Sequence, residues 1–232
     1  VHSCRITAEF SGGEAVRWND WLCRTYYKEG NMMTVAVLFA RADSHYKALP
    51  GCDVWDIERD ARLWPGGCSV IAHPPCRAWG RLRQFAKPRP GEKELAILAV
   101  ANVRRFGGVL EHPAESSLWI DQRLPRPGEF PDEFGGWSME IEQYHWGHRA
   151  EKATWLYVVG CEPFDVPPMP RRTGKATHCI RPTKKYPRLP SVTKAEREHT
   201  PPELAAWLVE LAGRCKGHNA QVSGGGAFPP SA

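Results

Sequence analysis

The sequence predicts an α/β domain with a mainly parallel sheet and helices on both faces, and three observations predict it. First, "TVAVLFA" (34–40) and "TWLYVVG" (154–160) are continuous apolar runs. Such runs suit strands buried on both faces, because a half-exposed strand would alternate. Second, "EKELAILAVANVRRFG" (92–107) repeats apolar residues at helical spacing and stops at Gly107-Gly108. Third, strand-like and helix-like segments alternate along the chain, as parallel strands with covered faces require.

The remaining elements come in order. "CDVWDI" (52–57) reads as a second strand. "CSVIAHPPC" (68–76) reads as a third, ended by Pro74-Pro75, and "GVLEHP" (108–113) as a fourth, ended by Pro113. "KAEREHTPPELAAWLVELAGRC" (194–215) contains a helix, with Thr200 as N-cap and Pro201 in the first position. The Pro-rich, basic stretch 162–190 reads as an extended loop. Residues 216–232 are rich in Gly, Ser and Pro and read as a disordered tail. The domain therefore spans 32–215. Residues 1–31 have two readings: translated sequence upstream of a start at Met32-Met33, or a helix around "GEAVRWNDWLCRTYY" packed on the core.

The 232 residues are enough for one well-packed domain. A formal charge of +5, from 31 basic and 26 acidic side chains, is compatible with a polyanionic partner without requiring one. Eight cysteines include no CxxC pair, which argues against a zinc ribbon. No secretory leader or membrane-length apolar run is visible, so the expectation is a cytoplasmic protein with free thiols and no membrane partner. His73, His112, His145 and His148 match no ligand spacing, and no metal is expected.

Ligands of open α/β sheets sit beyond the carboxyl ends of the strands. Two strands here end in reactive groups: His73-Pro74-Pro75-Cys76 and Glu111-His112-Pro113. The turn before the last strand adds His148, Arg149 and Lys152. A thiol, a carboxyl group and cations suit attack on a pyrimidine. The thiolate can add to ring carbon six, and a carboxyl group of raised pKa can protonate the ring nitrogen as charge builds there. A neighbouring cation, Arg149 or Lys152, would lower the thiol pKa. Each group also has a plain structural reading: Cys76 as a buried thiol, Glu111 as half of an ion pair, Arg149 and Lys152 as solvated turn residues. The basic run 171–188 reads either as a solvated loop or as a nucleic-acid contact.

Four segments, in this order, resemble DNA cytosine-5 methyltransferases of the phage type. "PPC" (74–76) is similar to the family's Pro-Cys loop, and "EHP" (111–113) to its Glu-Asn-Val or Glu-Asn-Pro segment. "WGHRAEKATWLYVVG" (146–160) resembles the segment that presents an arginine to the base, and "REHTPPELAAWLVELA" (197–212) the closing motif. The resemblance covers about 34–212. It implies a reduced, methyltransferase-like, Rossmann-like sheet and transfer of a methyl group from S-adenosylmethionine to cytosine in phage or prophage DNA. It further implies Cys76 as nucleophile, Glu111 as proton donor, and Arg149 and Lys152 as holders of the base or phosphate. Phe39, Asp56 and Pro74 would lie near the cofactor, and Arg77, Arg81, Lys184 and Lys185 against DNA. The family's glycine loop is replaced by Phe39-Ala40-Arg41-Ala42-Asp43, and one βα unit is missing after Ile57. Two alternatives remain: a relative that modifies a pyrimidine nucleotide with another donor, and a non-catalytic nucleic-acid-binding protein.

Overall fold

The computed structural model describes residues 34–183 and 188–217. The expectations for residues 1–31, for Lys184 and Lys185, and for the tail beyond Gly217 lie outside the described residues. The chain forms one mixed six-stranded sheet. Its strands are β1 (Val35–Leu38), β2 (Cys52–Trp55), β3 (Ser69–Ala72), β4 (Gly108–Pro113), β5 (Trp137–Glu142) and β6 (Ala153–Val159). Their spatial order is β2-β1-β3-β4-β6-β5. β1 pairs in parallel with both β2 and β3, and β3 with β4. β6 runs antiparallel to both β4 and β5.

Four α-helices are described: α1 (Glu92–Phe106), α2 (Leu118–Asp121), α3 (Lys194–Glu198) and α4 (Pro202–Arg214). The two long ones cover opposite faces of the sheet. Val35 and Val37 of β1, Ile71 of β3 and Val109 of β4 pack with Leu204, Leu208 and Leu211 of α4. The alternate residues Ala36, Leu38, Val70, Ala72 and Leu110 pack with Ala96, Val100 and Val103 of α1. This two-sided burial explains the unbroken apolar runs of β1 and β3, since both pleat faces are dry. Each fully buried leucine contributes about 2 kcal/mol by removing its surface from water.

β3 and β4 approach closely because of Gly108. Its φ is +127°, and a Cβ there would lie 2.0 Å from the Val70 carbonyl oxygen. Any side chain at 108 would thus push apart the two strands that carry His73 and Glu111.

Several details differ from the sequence reading. β5 was not expected, although "WSMEIE" alternates, with Trp137, Met139 and Ile141 on one face and Ser138, Glu140 and Glu142 on the other. The antiparallel direction of β6 was also not anticipated. The helix expected in 194–215 is two helices with an extended break at His199 and Pro201. Thr193 caps the first, by accepting from the Glu196 N–H. Pro201, rather than Thr200, is the flanking residue of the second, and Pro202 opens it. The stretch 162–190 is pinned in part. Cys179 is buried and bridges to Ser191, His178 pairs with Ala150, and the Trp207 indole donates to the Pro168 carbonyl at 3.1 Å. The first tail residue is also held, because the Lys216 N–H donates to the Gly160 carbonyl at 2.7 Å. No described helix is long and apolar enough to cross a membrane.

Candidate active site

A cleft of about 680 Å³ opens at the carboxyl ends of β1, β3 and β4. That volume suits a small ligand or a single extruded base. Its floor comes from Phe39, His73, Pro74, Cys76 and Glu111. Lys152, just before β6, forms another wall, and Arg197 and Glu198 close it from α3. Two smaller recesses beside Trp119, about 350 and 500 Å³, are lined by no cysteine or histidine.

The strand ends explain why these groups meet. β3 and β4 are parallel neighbours, with Ala72 opposite Leu110. His73 and Glu111 each come one residue later, so they emerge side by side. His73 Nδ1 lies 3.0 Å from Glu111 Oε2. On its far side, His73 Nε2 lies 2.9 Å from the Tyr46 hydroxyl. The Gln143 side-chain amide donates to Glu111 Oε1 at 3.1 Å and to the Thr154 hydroxyl at 3.0 Å. A five-residue polar chain therefore runs along the floor, from a fully buried tyrosine to a fully buried threonine.

Glu111 is strongly ionised. Burial pushes its pKa up, but the His73 hydrogen bond and the charges of Lys152, His73 and His112 outweigh it and bring it to about 2. This overturns the expectation of a carboxyl group with a raised pKa. Two hydrogen-bond donors and a nearby ammonium stabilise the charged form more than the loss of water destabilises it.

Cys76 is exposed at the cleft. Its thiol pKa is raised, first by desolvation and then by the Glu111 charge, while Lys152 acts the other way. Lys152 thus has the expected sign of effect but does not prevail. Pro75 and Pro74 stop β3, and the Trp79 and Gly80 N–H groups return to the Cys76 carbonyl, so the thiol sits on a tight turn.

Arg149 does not join the cleft lining. Its guanidinium pairs with both carboxylate oxygens of Glu196 and lies 3.1 Å from His178 Nε2. Of the expected sulfur, acid and guanidinium, the first two meet, and Lys152 supplies the cation. Asp56 is also engaged elsewhere. Its buried carboxylate accepts from the Glu58 and Arg59 N–H groups and pairs with Lys47 at 2.6 Å. It therefore caps the turn after β2.

Phe39 and Pro74 line the cleft. Phe39 has φ of +60°, the left-handed region that glycine occupies most easily. The chain makes its sharp turn after β1 without glycine, at roughly 1–2 kcal/mol. Beyond it, Arg41 pairs with Asp43 and with Glu198 of α3, both at 2.9 Å, and His199 lies 3.0 Å from Asp43. These ion pairs tie the β1 loop to α3 and to the turn beyond it.

Among the expected DNA contacts, Arg77 lines the cleft but binds the buried Glu92 at 2.7 Å. Arg81 is exposed and pairs with Glu115 at 3.3 Å. Leu82 and Phe85 in the same loop are exposed. Among the described residues, no group of three or more His, Cys, Asp or Glu could hold a metal ion.

Tyr46, Gln143 and Thr154 escaped the sequence reading. Gln143 directly follows β5, so without that strand its position had no meaning. Tyr46 lies in the 3-10 turn His45–Ala48, whose local sequence carries no signal for burial.

No protein-family model, curated protein or solved structure matches the chain.

Proposed function

We propose that the chain is a nucleobase-modifying enzyme resembling DNA cytosine-5 methyltransferases, in which Cys76 adds to carbon six of a cytosine held in the cleft. One observation carries this reading: Cys76, Glu111 and Lys152 line a single cleft at adjoining strand ends. The Rossmann-like sheet, with one reversed strand, is consistent with the reduced architecture that the resemblance implies.

In this mechanism the Cys76 thiol first gives up its proton to water at the exposed cleft, and Lys152 favours the thiolate that remains. A new bond then forms from sulfur to ring carbon six, and the displaced π electrons make carbon five nucleophilic. Glu111 accepts a hydrogen bond from the exocyclic amine and so orients the ring. Carbon five would then bond a one-carbon electrophile, whose leaving group departs with the donor; loss of the carbon-five proton to water then breaks the sulfur–carbon bond, and the thiolate returns. Base access in duplex DNA requires extrusion from the stack. The exposed loop with Arg81, Leu82 and Phe85 suits contact with such a strand.

S-adenosylmethionine, the family's donor, would supply a methyl group to carbon five. The chain offers it Phe39 and Pro74, but Asp56, the expected ribose partner, is bound by Lys47 and two backbone N–H groups. The residues present do not fit this cofactor as the resemblance implies, and no step of the mechanism depends on it. That mismatch favours a second reading, in which the same thiol chemistry uses another one-carbon donor.

The test has two arms. DNA carrying 5-azacytosine, whose ring carbon six takes up a thiolate without any donor, should form a covalent adduct with the protein, and Cys76→Ser should abolish it. Absence of an adduct with the folded wild-type protein would remove the pyrimidine reading. Calorimetry with S-adenosylhomocysteine separates the donors: heat of binding supports methyl transfer, and none supports the second reading.

A further inference from the structure

We propose that His73, braced by Tyr46, is a positioning residue that holds Glu111 in the cleft as an aimed hydrogen-bond acceptor for the N–H edge of an aminopyrimidine. The ligand class rests on the function proposed above; the positioning role rests on the geometry alone.

Each oxygen of Glu111 already has one fixed donor. His73 Nδ1 serves Oε2 at 3.0 Å, and Gln143 Nε2 serves Oε1 at 3.1 Å. A carboxylate oxygen accepts in two directions, so each keeps a free lone pair. With the carboxylate plane fixed from both sides, those lone pairs point in set directions. Such preorganisation spares the cost of orienting the group when a ligand arrives.

Tyr46 determines which histidine nitrogen carries the proton. Its hydroxyl is 2.9 Å from Nε2, and its ring stacks at an angle on the imidazole, with centroids 5.4 Å apart. When the hydroxyl donates to Nε2, the proton of a neutral imidazole must sit on Nδ1. That tautomer donates to Glu111; the other would set a lone pair against it. Tyr46 is buried, and its phenol pKa lies well above the usual value, first through desolvation and then through the Glu111 charge. It remains a neutral donor throughout the working range.

The charged and titratable groups that act on Glu111 come from several elements. His73 acts from the end of β3, Lys152 from the turn before β6, and His112 from the next position on β4. Tyr46, from the 3-10 turn, and Cys76, from the loop after β3, each feel its negative charge. His73 is the only one of these hydrogen-bonded to the carboxylate. Removing it therefore takes away both a hydrogen bond and a charge contribution, and leaves burial to push the carboxyl group upward.

Carbon-13 NMR of glutamate side-chain carboxyl groups in the full chain tests this, with Glu111→Gln assigning the signal. In wild type, Glu111 should stay ionised between about pH 4 and pH 8. In His73→Ala it should titrate inside that window, its midpoint raised by about two pH units or more. His73→Asn, whose amide can replace the Nδ1–H, should return it to the ionised state. Tyr46→Phe loses only a hydroxyl and should move the midpoint upward by less; it carries the test if His73→Ala does not fold. A carboxyl group that stays ionised in both variants overturns the proposal.

Adduct formation with 5-azacytosine DNA at neutral pH is the second readout. It should fall about tenfold in His73→Ala and recover in His73→Asn. If wild type forms no adduct while the carboxyl signal shifts as expected, the positioning role stands and the cytosine reading falls. If the adduct forms and the carboxyl signal does not move, the reverse holds.

Discussion

The two halves of the strand-end rim differ in how their charges are used. At β3 and β4, His73, Glu111 and Lys152 act on one another across a cleft whose floor is open to a ligand. At β1 and β2, Arg41 and Asp56 direct their charges at neighbours: Arg41 at Asp43 and Glu198, Asp56 at Lys47 and a turn. In the first half the polar groups face the cleft and one another; in the second they tie the β1 loop to α3 and cap a turn, with Arg41 also on the cleft wall. A strand-end position alone therefore does not assign a residue to ligand binding; what its polar atoms already touch decides.

The sharpest test of this contrast is Cys76→Ala, which should reduce adduct formation by about 10³-fold or more while leaving thermal stability nearly unchanged. A retained rate would move the reaction site away from β3. Next, Glu111→Gln should lower adduct formation by about 10²-fold, since the amide keeps the shape but loses the charged acceptor. In the other half, Asp56→Ala should cost about 1–2 kcal/mol in denaturant unfolding, through the lost turn cap and the stranded Lys47, and change the adduct rate less than about threefold. A large kinetic loss there would show that this half is also a binding surface. The smallest effect is expected for Arg149→Ala, a melting temperature close to that of wild type, because its guanidinium is exposed to solvent in its pair with Glu196.

A pH prediction concerns the back of the same strand. His112 is fully buried beside Trp119, and neither ring nitrogen finds a hydrogen-bond partner among the described residues. Desolvation pushes its pKa down to about 4, against a partial upward pull from Glu111. Between that value and the ordinary histidine value, the unfolded chain binds the extra proton and the folded one does not. Stability should therefore fall as pH drops from about 6.5 to about 4, by on the order of 2–3 kcal/mol, and then level off for this group. His112→Phe should flatten that part of the curve, as followed by thermal melts. Glu111 acts in the same direction at lower pH. Its folded pKa is lowered, so its contribution is complete above about pH 4.3 and is lost as pH falls toward about 2.

Much of the fold was legible because burial on both faces leaves a plain mark. The runs at 34–40 and 154–160 could hardly be anything but interior strands, and the helix at 92–107 carries both its spacing and its glycine stop. β5 carries a period-2 pattern but is short, with only Trp137, Met139 and Ile141 apolar; the Glu140 carboxylate on its other face accepts from the Trp155 indole across the ladder. Strand direction leaves no local mark, so the reversal of β6 could not be read. In the site, Cys76 and Glu111 were visible because prolines end their strands. Arg149 was placed at the site because it shares a turn with Lys152. Its partner Glu196 is 47 residues away, beyond what local sequence can reveal. Tyr46 and Gln143 depend on contacts of the same long range.

The reversed strand β6 also shortens the chain needed to build the rim. A parallel strand lends this edge only the residues after its carboxyl end, and reaching its start requires a long crossover from the opposite edge. A strand running the other way lends the residues before its amino end, so Lys152 arrives at the rim through a short return from β5. The pairing of Pro113 with Thr154 then sets how far that lysine stands from the carboxylate two positions back on β4. The rim thus sets a cation beside the Glu111 carboxylate with a hairpin in place of a crossover.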